Sequence, residues 1–145
     1  MNADRTIALR ELTREIIGAY YAVYNELPYG YLESVYRRAM AHELRKRGLA
    51  ASAEVKLDVW YDGVCVGRFR ADLIVENQVL VECKAIRRLT KPDYKQILNY
   101  LCATDVELGL LFNFGPSVEF RRLVWSNVRK KRGRVGLEGP PRQPE

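Results

Sequence analysis

Between Arg70 and Ala85 the chain sets two acids and a lysine into otherwise apolar strands, R-A-D-L-I-V-E-N-Q-V-L-V-E-C-K-A. The runs Leu73–Val75 and Val79–Val81 flank Glu76-Asn77-Gln78, a polar turn suited to joining two strands. Side chains alternate along a strand, so residues two apart share a face. That rule puts Phe69, Ala71, Leu73 and Val75 on one side of the first strand, with Arg70 and Asp72 on the other. On the second strand Val79, Val81, Cys83 and Ala85 share a face, and Glu82 and Lys84 sit together opposite them. Charge in such strands is costly unless it is paired or bound to something. A chain that keeps it there is built around a hairpin with a use for Asp72, Glu82 and Lys84.

Two chemistries answer that requirement. The first is a salt bridge, Glu82 to Lys84 or Asp72 to Lys84, on a solvated sheet face. The second is a divalent cation. Mg²⁺ favours hard oxygen ligands and keeps several of its waters. Asp72 and Glu82 offer two carboxylates, and the Cys83 backbone carbonyl offers a third oxygen. Lys84, two residues from Glu82, is placed to orient a water or to neutralise charge developing on a phosphate.

At 145 residues, 48% of them hydrophobic, the chain has the size of one domain with a single core. No apolar run reaches the length of a membrane span, and Met1–Arg14 alternates charge with apolar residues rather than forming a signal peptide. Cys65, Cys83 and Cys102 are far apart and lack a C-x-x-C pairing, and His42 is the sole histidine, which argues against structural zinc and thiol catalysis. Sparse, odd thiols suit a reducing, cytoplasmic setting. No phosphate-binding G-x-x-x-x-G-K-[ST] loop is present.

The net charge is +6, but Asn127–Glu145 holds six basic residues and two acids, so this Gly- and Pro-containing stretch carries +4 and the body +2. The expected division is a folded domain over 1–126 and a basic, disordered tail over 127–145.

Leu9, Leu12, Ile16, Tyr20, Val23 and Leu27 recur at helical spacing and predict a helix over Asp4–Leu27. Pro28-Tyr29-Gly30 ends it, and a second helix is predicted over Tyr31–Arg47, stopped by Gly48. Glu33 falls inside the apolar arc of this helix, beside Tyr36, Met40 and Leu44, whereas His42 lies on the opposite side. Strands follow over Ala53–Tyr61, Val64–Glu76 and Val79–Ile86, with Asp62-Gly63 as a hairpin turn and Gly67 as a candidate bulge. Short turns make them an antiparallel meander. After the basic loop Arg87–Lys91, Thr90 is placed to cap a helix that runs to about Ala103. Leu108–Phe114 reads as a fully buried strand and Val118–Trp125 as an edge strand. The order is ααβββαββ: an α+β fold with a mixed sheet, a three-strand meander plus one or two further strands, flanked by helices.

Gly30-Tyr31-Leu32-Glu33-Ser34-Val35-Tyr36 resembles the G-x-x-E-x-x-Y motif of the GxxExxY proteins, a group within the PD-(D/E)xK nuclease superfamily. The resemblance spans about Ile16–Trp125 and takes in Asp72…Glu82-Cys83-Lys84 and the segment Gln96–Tyr100, similar to a Q-x-x-x-Y motif. In many relatives a proline precedes the aspartate; here Ala71 does. The resemblance implies a restriction-endonuclease-like core and metal-dependent hydrolysis of phosphodiester bonds in nucleic acid, DNA rather than RNA. It implies Mg²⁺, with Mn²⁺ able to substitute, held by Asp72 and Glu82, with Lys84 assisting the attacking water. It implies that Glu33 approaches the same ion directly or through water, and that Gln96 and Tyr100 shape the site or hold the phosphate. Small nucleases of this fold often dimerise to address two strands, so a homodimer is a further expectation. Fold alone does not guarantee catalysis. The alternative is a non-catalytic nucleic-acid-binding protein that uses Arg70, Arg87, Arg88, Lys91 and the basic tail as phosphate contacts. A third reading makes the acids and lysine an ion-pair cluster in a protein that binds another protein through Tyr29, Tyr31 and Tyr61.

Overall fold

The computed structural model describes residues 3–128 and 130. The helices are α1 (Ala3–Glu26), α2 (Glu33–Lys46) and α3 (Lys91–Ala103). The strands are β1 (Ala51–Tyr61), β2 (Val64–Val75), β3 (Val79–Lys84), β4 (Leu108–Phe114) and β5 (Val118–Val124), so the element order is the one expected. The five strands form one mixed sheet in sequential order. β1–β2, β2–β3 and β4–β5 pair antiparallel, while β3–β4 pair parallel across the α3 crossover. Among the described residues no helix is long and apolar enough to cross a membrane.

One sheet face packs against α1 and α2, with Leu73, Val75, Val79, Val81 and Cys83 meeting Ile16, Tyr20, Met40 and Leu44. The other face packs against α3, with Ile74, Leu80 and Leu111 meeting Ile97, Tyr100 and Leu101. β4 is buried along its whole length because helices cover both of its faces. Tyr20 locks α1 onto this strand: its ring stacks on Phe112 at 4.5 Å, and its hydroxyl donates to the Asn113 carbonyl at 2.7 Å. Burial pushes the Tyr20 phenol up to about 12, so the hydroxyl stays a donor.

The G-x-x-E-x-x-Y stretch is a turn that launches α2. Gly30 has φ +132°, a conformation that side chains rarely adopt. The Tyr36 hydroxyl donates to the Pro28 carbonyl at 2.5 Å and accepts the Tyr31 N–H at 3.2 Å, and its ring stacks on Phe114 at 4.5 Å. Tyr36 therefore reaches back to the turn and fixes the first helical residue, Glu33. The helix begins at Glu33 rather than Tyr31, because Leu32 is extended, with ψ 151°.

The structure differs from the strand-alternation expectation at one point. Leu73 and Val75 pack on the α1–α2 side, but Ala71 and Phe69 pack on the α3 side. The switch falls at Asp72, opposite Glu54, whose φ of +53° interrupts the β1–β2 ladder between the pairs Ala53↔Leu73 and Val55↔Ala71. A left-handed residue in one strand turns the ribbon over, so period-two counting fails across it. β3 also ends at Lys84 rather than Ile86. The amide side chain of Asn113 takes both main-chain groups of Ile86, accepting from its N–H at 3.0 Å and donating to its carbonyl at 2.9 Å.

The folded part continues past 126. The Asn127 N–H donates to Glu107 at 2.9 Å, and the Lys130 ammonium is buried and donates to the carbonyls of Thr104 and Val106. Two placements thus move from the expected tail into the domain; residues 131–145 lie outside the described residues.

Removing only the Tyr36 hydroxyl (Tyr36→Phe) leaves the ring stacking in place and unclamps the turn. The expected loss is about 1–2 kcal/mol in a chemical-denaturation experiment, from two missing hydrogen bonds. An unchanged midpoint would show that the motif tyrosine acts through its ring alone.

Candidate metal centre

The β2–β3 ladder runs Val75↔Val79, Ile74↔Leu80, Leu73↔Val81 and then stops. One step further, Asp72 and Glu82 stand opposite each other and bridge the gap with side chains. The Asp72 N–H donates to Glu82 Oε1 at 3.1 Å, and the Cys83 N–H donates to Asp72 Oδ2 at 2.9 Å. Each carboxylate thus spends one oxygen on the neighbouring strand's amide, and the two carboxyl groups also interact with each other. Both residues are nearly closed off from solvent, at 5% and 6% exposure.

Two carboxylates held this close cannot both carry charge cheaply. Burial, and then the charge of Asp72, push the Glu82 carboxyl up to about 8, against an ordinary value near 4.5; Lys84 opposes this only in part. The salt bridge that the sequence leaves open is not what holds them. Among the described residues, the ion pairs within 4.0 Å lie elsewhere, in groups such as Arg37–Glu54, Arg70–Glu54 and Arg47–Glu43. A buried oxygen-only pair with no lysine or arginine within 4.0 Å among the described residues fits a hard divalent cation.

Lys84 follows at the end of β3, half-buried, its charge felt by Glu82. Cys83 points into the α1–α2 core, and burial, then the charges of Asp72, Glu82 and Glu33, push its thiol well up. It is therefore inert as a nucleophile. That same influence places Glu33 within electrostatic reach of the hairpin. Glu33 does not join the pair directly: among the described residues no three histidine, cysteine or acidic side chains converge as a ready metal cage.

The remaining expected residues spread around this centre. Gln96 is exposed on α3, whereas Tyr100 is buried among Ile97, Leu101 and Leu111, under the helix rather than on a free surface. Arg70 is paired with Glu54 at 3.6 Å. Arg87, Arg88 and Lys91 are exposed along the loop from β3 into α3. Thr90 caps that helix as expected, its N–H bonded to Asp93 at 2.7 Å.

Three residues escaped sequence reasoning. Arg37, one helical turn beyond Glu33 and only 15% exposed at its side chain, reaches Glu54 at 3.5 Å. Glu54 gathers Arg37 and Arg70 across from Asp72. Asn113 holds the loop after Lys84. The i, i+4 spacing of Glu33 and Arg37 was a readable signal. The other two needed the strand register.

A search of curated proteins finds no match to the chain. Among solved structures, the crystal structure of SSO0001 matches with a TM-score of 0.54 at 22% identity, covering 77% of this chain and 61% of that one. This chain thus spans less than two thirds of that protein, and the likeness is one of fold.

A raised carboxyl has a definite consequence for stability without metal. The folded chain holds a Glu82 proton that the unfolded chain releases near pH 4.5. The contribution is therefore complete below that pH and is lost as pH rises toward about 8. In chelator, the melting temperature should fall over this window, and Glu82→Gln should flatten the fall and melt higher than wild type at its upper end. A mutant that melts lower there would mean that the two acids do not repel.

The model of the PD-(D/E)XK nuclease superfamily matches residues 10–123, nearly all of the sheet and its helices. The chain belongs to that superfamily.

Proposed function

We propose that the protein is a metal-dependent nuclease that hydrolyses phosphodiester bonds of DNA, a cytoplasmic member of the GxxExxY group. The observation that supports this reading is the buried Asp72–Glu82 pair, held on main-chain amides, with Lys84 two residues along β3. Superfamily membership supplies the reaction class.

Asp72 Oδ1, Glu82 Oε2 and the Cys83 carbonyl would hold Mg²⁺, or Mn²⁺ in its place. Such an ion polarises a phosphoryl oxygen and lowers the pKa of water. Lys84 orients the attacking water and offsets negative charge building on the phosphate. Glu33, fixed at the start of α2 by the Tyr36 clamp, acts on the site through water. Gln96 lines the approach from α3, and Tyr100 supports that helix from beneath. Arg70, Arg87, Arg88 and Lys91 bind backbone phosphates, which positions the strand without reading its sequence. A homodimer would let two such centres address both strands of a duplex.

A digestion panel of labelled single- and double-stranded nucleic acids with Mn²⁺ or Mg²⁺ tests the reading. Cleavage should require the metal. Asp72→Asn and Lys84→Ala should each lower it by about a hundredfold or more while retaining the wild-type circular dichroism spectrum. Metal-independent DNA binding with no cleavage of any substrate would favour the non-catalytic alternative.

A further inference from the structure

The loop that follows Lys84 is built more rigidly than a basic surface loop requires. Asn113, fully buried, takes both main-chain groups of Ile86. Glu119 Oε1 accepts the Leu89 N–H at 3.0 Å and the Asn113 amide at 3.2 Å. Gly115 presses on the same loop: a Cβ there would stand 2.5 Å from the Ile86 carbonyl oxygen and 3.4 Å from that of Arg87. Both ends of the Arg87-Arg88 pair are therefore fixed to β4 and β5, while their side chains stay exposed.

Those side chains border an open cleft of about 580 Å³ that Pro116, Ser117 and Arg121 also line. Three arginines and one glutamate line it, a formal charge of 3 − 1 = +2. The glutamate is already committed to the loop through Oε1, and its Oε2 lies 3.8 Å from Arg121. Guanidinium groups fork onto phosphate oxygens, and arginines set on a fixed backbone lose less freedom when they bind. The volume falls in the range of small-ligand sites and exceeds what a lone ion needs.

We infer that the cleft between the Arg87-Arg88 loop and the β4–β5 turn is a phosphate pocket. It grips the nucleic-acid backbone away from the bond cleaved at Asp72 and Glu82, with Arg121 as its distal contact and Asn113 as a positioning residue. The identity of the ligand rests on the nuclease reading; the pocket itself rests on the clamp and the charge. Asp72, Glu82 and Lys84 do not line the cleft, so binding can be measured in chelator without catalysis.

The test is a salt titration of anisotropy with a short fluorescein-labelled DNA duplex, in chelator so that no cleavage occurs. Arg87→Ala and Arg121→Ala should each weaken binding about three- to tenfold and reduce the slope of log affinity on log salt by about one. Arg38→Ala, on the exposed side of α2, should leave the slope unchanged. Asn113→Ala keeps every cationic residue yet should weaken binding, with the slope moving less than in the arginine variants. If Arg87→Ala and Arg121→Ala bind with wild-type affinity and slope, the pocket is wrong, and the nuclease reading stands on its own digestion panel. If the slopes fall as expected but no metal supports cleavage, the pocket survives and the nuclease reading fails. A wild-type chain that does not bind the duplex at all overturns the pocket, and the digestion panel then decides the nuclease reading.

Discussion

Two carboxylates buried opposite each other at the end of a strand ladder are an expensive arrangement, and the rest of this molecule is what keeps them there. Asp72 and Glu82 take the place of a ladder pair: each accepts a main-chain N–H from the other's strand or from the next residue along. The bonds orient the acids but leave the charge uncancelled, hence the upward push on Glu82. A hydrophobic pair would stabilise the hairpin better. Retaining acids at such a place is the kind of local conflict between stability and sequence that functional sites show.

The surrounding scaffold positions chemistry from three directions. The turn clamped by Tyr36 fixes Glu33 as the first residue of α2, and one helical turn on Arg37 meets Glu54. The β1–β2 ribbon turns over at Glu54, so its distal half faces α3, and Arg70 pairs there with Glu54. The loop after Lys84 is stitched to β4 and β5 by Asn113 and Glu119, which keeps a run of cationic groups within a few residues of the centre. Parallel pairing of β3 with β4 brings these pieces to one end of the sheet, since both strands finish there and their following loops meet.

Much of this was legible in the sequence, for identifiable reasons. Element order follows from periodicity, and Thr90, Gly48 and Asp62-Gly63 each carry their own local signal. The hairpin acids were visible because charge is rare in strands this apolar. The failures share one cause, which is distance along the chain. Alternation through Ala71 broke because Glu54, on another strand, adopts a left-handed backbone. Tyr100 enters through the resemblance to a Q-x-x-x-Y motif, and its burial beneath α3 shows only in the packed fold. Asn113 looked like an ordinary member of a buried strand, and its hold on a loop 27 residues earlier shows only in three dimensions. Lys130 resembled its tail neighbours until its burial against the α3–β4 connection was seen.

The central claim is that the Asp72–Glu82 pair is completed by a divalent ion. Burial and the charge of Asp72 raise the Glu82 carboxyl, so the pair holds a proton more tightly than an ordinary carboxylate and gives it up when an ion takes its place. Titration calorimetry with Mn²⁺ at pH 7, in two buffers of different ionisation enthalpy, reads this directly. The account predicts one site per chain with net proton release on binding, and loss of both signals in Glu82→Gln. Saturable binding without proton release, or binding retained by Glu82→Gln, would contradict it.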